Sequence, residues 1–191
     1  KDACLVEPLA VALHGLIQTN TRDSHRVAVI GGGTIGLCTV IAAKYLGCEV
    51  DIYAKYDHQI ETAHELGAGE LNGKYDRVID CVGNDETLNI SSKTAKPGSW
   101  IVILGIPIEG INLPGMRVIM NEIKIFPSIM YSSTDGVKDF TIAAKVLAAQ
   151  PEIGKKIITH RFNLDEAEDA FAIAGDKNSK SIKVVFDPTL T

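Results

Sequence analysis

The stretch of this 191-residue chain whose residue types and spacing most directly imply chemistry is Gly31-Gly32-Gly33-Thr34-Ile35-Gly36. It follows a short β-branched run, Arg26 to Ile30 (RVAVI), and opens an apolar helical stretch. A strand that hands over to a helix through such a turn directs unpaired backbone N–H groups at one point. The positive end of the helix dipole, about half a charge, is aimed at the same place. Phosphate is the ligand that matches. Gly31 permits the tight turn, Gly33 lets the backbone approach a pyrophosphate, and Gly36 lets the helix pack close to the strand. The glycine spacing alone is a weak signal; the strand before it and the helix after it supply the specificity. The ligand expected here is a nicotinamide dinucleotide.

Which dinucleotide is preferred is decided near the end of the next strand. An acidic residue about 20 positions past the glycines would accept a hydrogen bond from a ribose 2′-hydroxyl and favour NAD. The sequence there reads Ile52-Tyr53-Ala54-Lys55-Tyr56. Ala54 offers no acceptor, Lys55 supplies a cation suited to a 2′-phosphate, and His58 adds a second donor. These residues favour NADP, with NAD as the alternative, because Asp57 is close by and Lys55 also reads as an ordinary surface lysine. Asp51 lies inside the strand, with its side chain expected to point away.

The elements that must position these groups alternate. Ala3 to Ile17 reads as an apolar helix and Thr19 to His25 as a loop. The strand at Arg26 to Ile30 is followed by a helix over Ile35 to Leu46, stopped by Gly47. Glu49 to Tyr53 is the second strand, and Ile60 to Leu66 is a helix closed by Gly67. Arg77 to Cys81 is another strand; Glu86 to Thr94 is a helix ended by Pro97-Gly98. Trp100 to Leu104 and Lys124 to Ile129 are further strands, and Asp135 to Gln150 is an Ala-rich amphipathic helix. Strands alternating with helices predict an α/β fold, a doubly wound parallel sheet covered on both faces. After Pro151, Ile157 to Phe162, the acidic helix Leu164 to Ile173 and Ser181 to Phe186 form a C-terminal strand–helix–strand extension. The expected organisation is a linking helix over 1–25, a dinucleotide-binding domain over 26–150 and a C-terminal segment over 151–191, packed at the domain edge or on another domain.

Composition excludes several function classes. Hydrophobic residues make up 46% of the chain, and 19 basic against 24 acidic residues give a net charge of −5. There is no basic footprint for nucleic acid and no Lys/Arg run for a membrane surface. Cys4, Cys38, Cys48 and Cys81 are scattered without a C-x-x-C pair, each among apolar residues. They read as small buried hydrophobes in a reducing compartment, with the cytoplasm as the expected location. The start, Lys1-Asp2-Ala3-Cys4, has neither an initiator Met nor a signal-peptide pattern, which suggests a piece of a larger protein.

From Glu7 onward the chain resembles the medium-chain dehydrogenase/reductase family, in its zinc-dependent alcohol and polyol dehydrogenase branch. Glu7-Pro8-Leu9-Ala10-Val11-Ala12-Leu13-His14 is similar to the helix leading from that family's catalytic domain into its cofactor domain. Arg26 to Gly36 resembles its first strand and phosphate turn. Tyr75 to Gly83 (YDRVIDCVG) resembles its fourth strand, and Leu164 to Phe186 its closing helix and strand. The resemblance implies a Rossmann fold with Gly31, Gly33, Thr34, Ile35 and Gly36 lining the pyrophosphate. It places Cys81, Val82 and Gly83 beside the ribose and adenine, and Leu104, Gly105 and Ile106, with Ser128 to Met130, beside the nicotinamide. Lys183 matches a basic position that contacts cofactor phosphate.

The resemblance further implies hydride transfer between nicotinamide and a small alcohol or carbonyl substrate, with zinc in the full-length enzyme. Glu7 falls where related enzymes place a zinc ligand or a partner of zinc-bound water; it reads equally as a helix-start acid favoured by the dipole. His14, on an apolar helix, reads as a packing residue. Two departures stand out. Only Gly67 to Lys74 separates the second and fourth strands of the family pattern, and the N-terminal catalytic domain with its cysteine and histidine ligands is missing. The isolated chain is therefore expected to bind cofactor without turnover, with no catalytic residue of its own. The alternatives are a zinc-free quinone or enoyl reductase of the same family and a non-catalytic dinucleotide-binding domain. A homodimer is expected through the strand at Lys124 to Ile129, read as an apolar, unprotected edge.

Overall fold

The computed structural model describes residues 2–107 and 110–190. Its centre is β1 (Arg26–Ile30), every residue of which after Arg26 is buried. Because successive strand side chains point to opposite faces, Val27 and Val29 enter one hydrophobic core while Ala28 and Ile30 enter a second on the other face. Each buried aliphatic side chain contributes about 1.5–3 kcal/mol of transfer free energy, so this alternation fixes the register of the sheet.

Around β1 the strands are β2 (Glu49–Tyr53), β3 (Gly69–Glu70), β4 (Tyr75–Asp80), β5 (Ala95–Ile103) and β6 (Lys124–Pro127). They form one six-stranded sheet in the order β3-β2-β1-β4-β5-β6, parallel throughout. This is the strand order of a doubly wound dinucleotide-binding sheet, whose ligands lie outside the carboxyl ends of the strands where the order reverses. Between β3 and β4 no helix intervenes, and β3 has only two residues, so this arm is short, as the brief Gly67 to Lys74 segment implies.

The first helix, α1 (Val6–Gln18), follows a 3-10 turn over Ala3–Leu5 and buries Leu9, Ala12, Leu13 and Leu16 in the first core. On that face it packs with α2 (Thr34–Tyr45) and α6 (Asp139–Ala149). On the opposite face α4 (Asp85–Thr94) contributes Leu88 to the second core. The connection after β2 is α3 (Asp57–Glu65), which begins one turn earlier than the apolar pattern from Ile60 suggests.

The structure corrects several sequence expectations. Pro97-Gly98 does not end a helix ahead of the strand: α4 stops at Thr94, and the pair lies within β5. Tyr75 pairs with Ala95 and Arg77 with Trp100, so the extra residues bulge out of the ladder, with Gly98 at φ +72°. The helix expected from Asp135 begins at Asp139. Before it, Ser133–Thr134 (β7) and Val137–Lys138 (β8) make a small antiparallel hairpin. Its turn is Asp135-Gly136, both at positive φ (51° and 77°), an Asp-Gly signal that helical periodicity concealed.

A short helix, α5 (Gly115–Met120), precedes the edge strand, which ends at Pro127 rather than Ile129. That edge is not bare. Lys124 lies over the Trp100 ring and Pro127 closes the strand, both features that discourage edge-to-edge pairing. Cys4 is exposed, unlike the buried Cys38 and Cys48, and all four thiols are free.

The C-terminal segment contains α7 (Glu152–Ile157), a helix the sequence analysis does not anticipate, with only its last residue, Ile157, expected to begin the following strand. Then come β9 (Ile158–Phe162), a 3-10 turn over Leu164–Glu166, α8 (Ala167–Gly175) and β10 (Lys183–Phe186). Strands β9 and β10 pair in parallel as a separate two-stranded sheet. Ile153, Ile157 and Ile158 join the same core as α1 and α2, so this segment shares the main hydrophobic interior. Among the described residues no helix is long and apolar enough to cross a membrane.

Candidate functional site

The glycine turn stands at the carboxyl end of β1. Gly31 takes φ +106°, a conformation L side chains rarely adopt, and its N–H donates to the carbonyl of Tyr53 at the end of β2 (2.8 Å). Gly33 is the N-cap of α2, with Thr34, Ile35 and Gly36 forming its first turn. A Cβ at Gly36 would drive into the carbonyl oxygen of Gly31, so the helix can pack here only without a side chain. At Gly33 the opposite holds: a Cβ there would meet nothing within 4 Å. The helix start thus looks out on open space, a cradle that fits a pyrophosphate.

A second set of residues is assembled by Asp80, at the end of β4 and fully buried. Its Oδ1 accepts the backbone N–H groups of Val82 (3.0 Å) and Gly83 (2.9 Å), and Oδ2 accepts from the Ser91 hydroxyl (3.4 Å). Its carbonyl accepts from Leu104 (2.8 Å) and Gly105 (3.1 Å) at the end of β5. One carboxylate residue therefore sets the two loops predicted to flank the cofactor. Glycine is required at their contact, because a Cβ on Gly83, at φ +77°, would stand 2.7 Å from the Gly105 carbonyl oxygen. Sequence reasoning missed Asp80. The available signal was an acid at the end of an otherwise apolar strand, which must be hydrogen-bonded if buried.

Beyond these loops opens a largely apolar cleft of about 800 Å³. It brings together Glu7, Ile35, Cys81, Val82, Leu104, Gly105 and Ile106 with Ser128, Ile129 and Met130, residues far apart in sequence. Val11 of α1 and Pro127 complete its wall. A second hollow of about 960 Å³ adjoins it and is lined by Val82, Gly83 and Asn84 to Glu86. In that hollow, Asp85 is held below the usual carboxylate range by hydrogen bonds from the Asn112 side chain and backbone N–H (both 2.7 Å).

Cys38 and Cys81 contribute no nucleophile. Burial pushes the thiols of Cys38 and Cys81 up to about 12. A thiol with so high a pKa stays protonated near neutrality. Cys81 instead contacts the Thr39 hydroxyl (3.5 Å). His14 is the packing residue expected of it: its Nδ1 lies 2.9 Å from Oδ2 of the buried Asp139, joining α1 to α6.

The remaining predicted residues are distributed as follows. Lys183 opens β10, close enough to α2 that its charge acts on the Cys38 thiol. Lys55 is exposed and lines none of the cavities described. His58 lines a separate small cavity with Tyr56 and Gln59. Glu7 is exposed at the cleft's mouth, in the first turn of α1. Among the described residues no group of three or more His, Cys, Asp or Glu side chains could hold a metal ion. A catalytic zinc takes about three protein ligands, and Glu7 alone does not supply them.

Comparison with known proteins agrees with this geometry. Residues 69–149 match the family model described as zinc-binding dehydrogenase. Chicken (Gallus gallus) sorbitol dehydrogenase is 26% identical over 211 residues, covering 99% of this chain and 58% of its own length. The chain thus spans little more than half of the curated relatives it matches. Among solved structures, 2R,3R-butanediol dehydrogenase from Bacillus subtilis superposes with a TM-score of 0.79 at 25% identity, covering 97% of this chain and 57% of that one. A zinc-binding dehydrogenase from Sinorhizobium meliloti 1021, solved bound to NADP, gives a TM-score of 0.79 at 27% identity, covering 96% and 58%. In sheet order, glycine turn and these matches the chain is similar to zinc-dependent alcohol and polyol dehydrogenases.

Proposed function

We propose that this chain is the nicotinamide-dinucleotide-binding part of a dehydrogenase that exchanges hydride with a small alcohol or its carbonyl partner, with NADP as the preferred cofactor. The observation that carries this reading is the open helix start at Gly33, set beside an apolar cleft at the carboxyl ends of β4, β5 and β6. The N–H groups of residues 33–36 receive the pyrophosphate, with Lys183 adding a cation from the C-terminal segment. The loops fixed by Asp80 bound the adenosine and nicotinamide sides. Leu104, Gly105, Ile106 and Ser128 to Met130 exclude water from the face where the ring would lie, which strengthens any electrostatic contact made there. When bound, the nicotinamide supplies or accepts the hydride; the chain's part is to hold that ring in line with a substrate carbon.

In the whole protein, Glu7 stands where a carboxylate would serve a zinc ion or its water, the other ligands coming from residues outside those described. The 191 residues alone therefore bind cofactor without oxidising alcohols. All four thiols are free, which fits a reducing compartment such as the cytoplasm. The relative solved with NADP, together with the lack of an acceptor at Ala54, favours the phosphorylated cofactor. Homodimerisation through β6 belongs to the same proposal, with Lys124 and Pro127 limiting how the edges meet.

Thermal melting with NADP and NAD in parallel tests this reading. At about 100 times its dissociation constant, a ligand that binds only the folded state stabilises it by roughly 2.7 kcal/mol. The expected result is a larger shift with NADP; no shift with either dinucleotide would overturn the proposal.

A further inference from the structure

A cavity of about 140 Å³ lies between the start of α3 and the loop joining α8 to β10. One wall is Tyr56, His58 and Gln59; the other includes Asp176, Lys177 and Ser181. It sits one layer of atoms from the phosphate turn. A Cβ on Gly32 would lie 2.6 Å from the Ala54 Cβ and 3.0 Å from Gln59 Oε1, and Gln59 lines the cavity itself. This is the β2 side of the turn, where a dinucleotide's adenosine ribose is read.

Two side chains lining this space, His58 and Lys177, are donors left free by the rest of the described residues. The His58 ring stacks on Tyr56 (centroids 5.8 Å apart, 23° between planes), which fixes its plane. Among the described residues neither the His58 ring nitrogens nor the Lys177 ammonium has a hydrogen bond or an ion pair within the chain. The Asp176 carboxylate, the one acid in the lining, is turned to its own loop, where Oδ1 accepts the N–H of Asn178 (2.8 Å). That loop is tied down further by the Ser179 hydroxyl, which bonds the carbonyls of Ile173 (2.9 Å) and Asp176 (2.7 Å). The volume is several times the roughly 30 Å³ a water molecule claims in the liquid, and is sufficient for a phosphate group.

We propose that this cavity seats the 2′-phosphate of NADP, with Lys177, from the C-terminal segment, as the specificity-determining cation opposite His58. The inference rests on the NADP reading above and moves the cationic role from Lys55 to a residue more than a hundred positions away. A lysine ammonium on a flexible stem suits a phosphomonoester approached from one side, acting as a point charge. It also explains how the C-terminal segment, held on the phosphate turn by its own contacts, would distinguish the two cofactors.

The test is calorimetric titration of the full chain and of K177A with NADP, NAD, 2′,5′-ADP, 5′-AMP and inorganic phosphate. K145A, altering an exposed lysine of α6, serves as the control. The expected result is an approximately tenfold loss of affinity for NADP and 2′,5′-ADP in K177A, equivalent to removing one charge-assisted hydrogen bond. NAD and 5′-AMP are expected to bind K177A and wild type alike, and K145A to match wild type throughout. An equal loss for phosphorylated and unphosphorylated ligands overturns the assignment, as does no loss at all. Inorganic phosphate binding lost in K177A supports the cavity as an anion seat. A wild type that prefers NAD, with NADP still selectively weakened in K177A, sinks the preference but keeps the seat.

Discussion

The hydroxyl of Thr34, the first residue of α2, donates to the carbonyl of Ile182 at 2.8 Å, across 148 positions of sequence. This bond fastens the C-terminal segment to the helix start proposed to receive phosphate, and Lys183 is the next residue along. Replacing Thr34 with Val keeps the shape and removes the donor, leaving the Ile182 carbonyl without it. T34V is expected to lose about 1 kcal/mol of stability and to bind both dinucleotides several-fold more weakly. K183A is expected to weaken NADP and NAD equally, since the pyrophosphate is common to both. Melting and titration of the two variants side by side check this; selective loss of NADP in K183A would contradict it.

Asp80 is a case in which removing one carboxylate should disturb two loops. In D80A the N–H groups of Val82 and Gly83 lose their acceptor in a buried place, and the Ser91 hydroxyl loses a partner. Each buried group left unpaired costs about 1–3 kcal/mol, so a loss of about 2–4 kcal/mol is expected in chemical denaturation. D80N keeps one acceptor oxygen and should lie between D80A and wild type. Cofactor affinity should fall in the same order.

How much of this was legible in the sequence depends on whether a residue's role is local. β1 and β2 are found with the predicted bounds because RVAVI and EVDIY are short β-branched runs closed by glycine or by a polar turn. The glycine turn between β1 and α2 was equally legible as geometry, since it lies within six consecutive residues. The hairpin at Ser133 to Lys138 was lost because Ala-rich periodicity beyond it dominated the window, although Asp135-Gly136 carries the turn signal. α7 was lost because its six residues are too few for a clear period. Lys177 was invisible for a different reason. Nothing near it in sequence speaks of phosphate; only the folding of α8 against α3 brings it opposite His58.

Acid should destabilise the fold in two steps. His25 sits at the loop before β1, where its Nδ1 accepts the N–H of Arg22 (3.1 Å) and so must be unprotonated. Partial burial, and then the neighbouring Arg77, hold its pKa below the ordinary value of 6.5. A base with a depressed pKa binds fewer protons folded than unfolded, so its contribution is complete above 6.5. That contribution is lost as pH falls from 6.5 toward the folded value. Asp76 follows at lower pH. Burial raises its pKa, but the Lys96 ammonium (2.8 Å) and the Arg26 N–H outweigh this and hold it below 3.8. Its stabilisation is present above 3.8 and lost as pH falls below it. The melting temperature should therefore decline between pH 7 and 5 in wild type. The decline should be flatter in H25N, whose amide oxygen can accept the same bond without titrating; an unchanged slope would remove His25 from this account.

The two glycines of the turn should separate when each is replaced by alanine. Gly36 packs against the Gly31 carbonyl, and Gly33 faces open space at φ −74°, ψ −173°, an extended conformation that any residue adopts. G36A must displace helix from strand, an overpacking that costs about 1–3 kcal/mol, and should lower both stability and affinity. G33A should melt within about 0.5 kcal/mol of wild type, because its methyl group meets no protein atom. Its affinity for NADP and NAD should nonetheless fall by about tenfold or more, as the methyl enters the space where the pyrophosphate meets the helix N–H groups. Stability and binding thus move together at Gly36 and apart at Gly33. A G33A chain that binds dinucleotide as wild type does would mean that the pyrophosphate lies elsewhere.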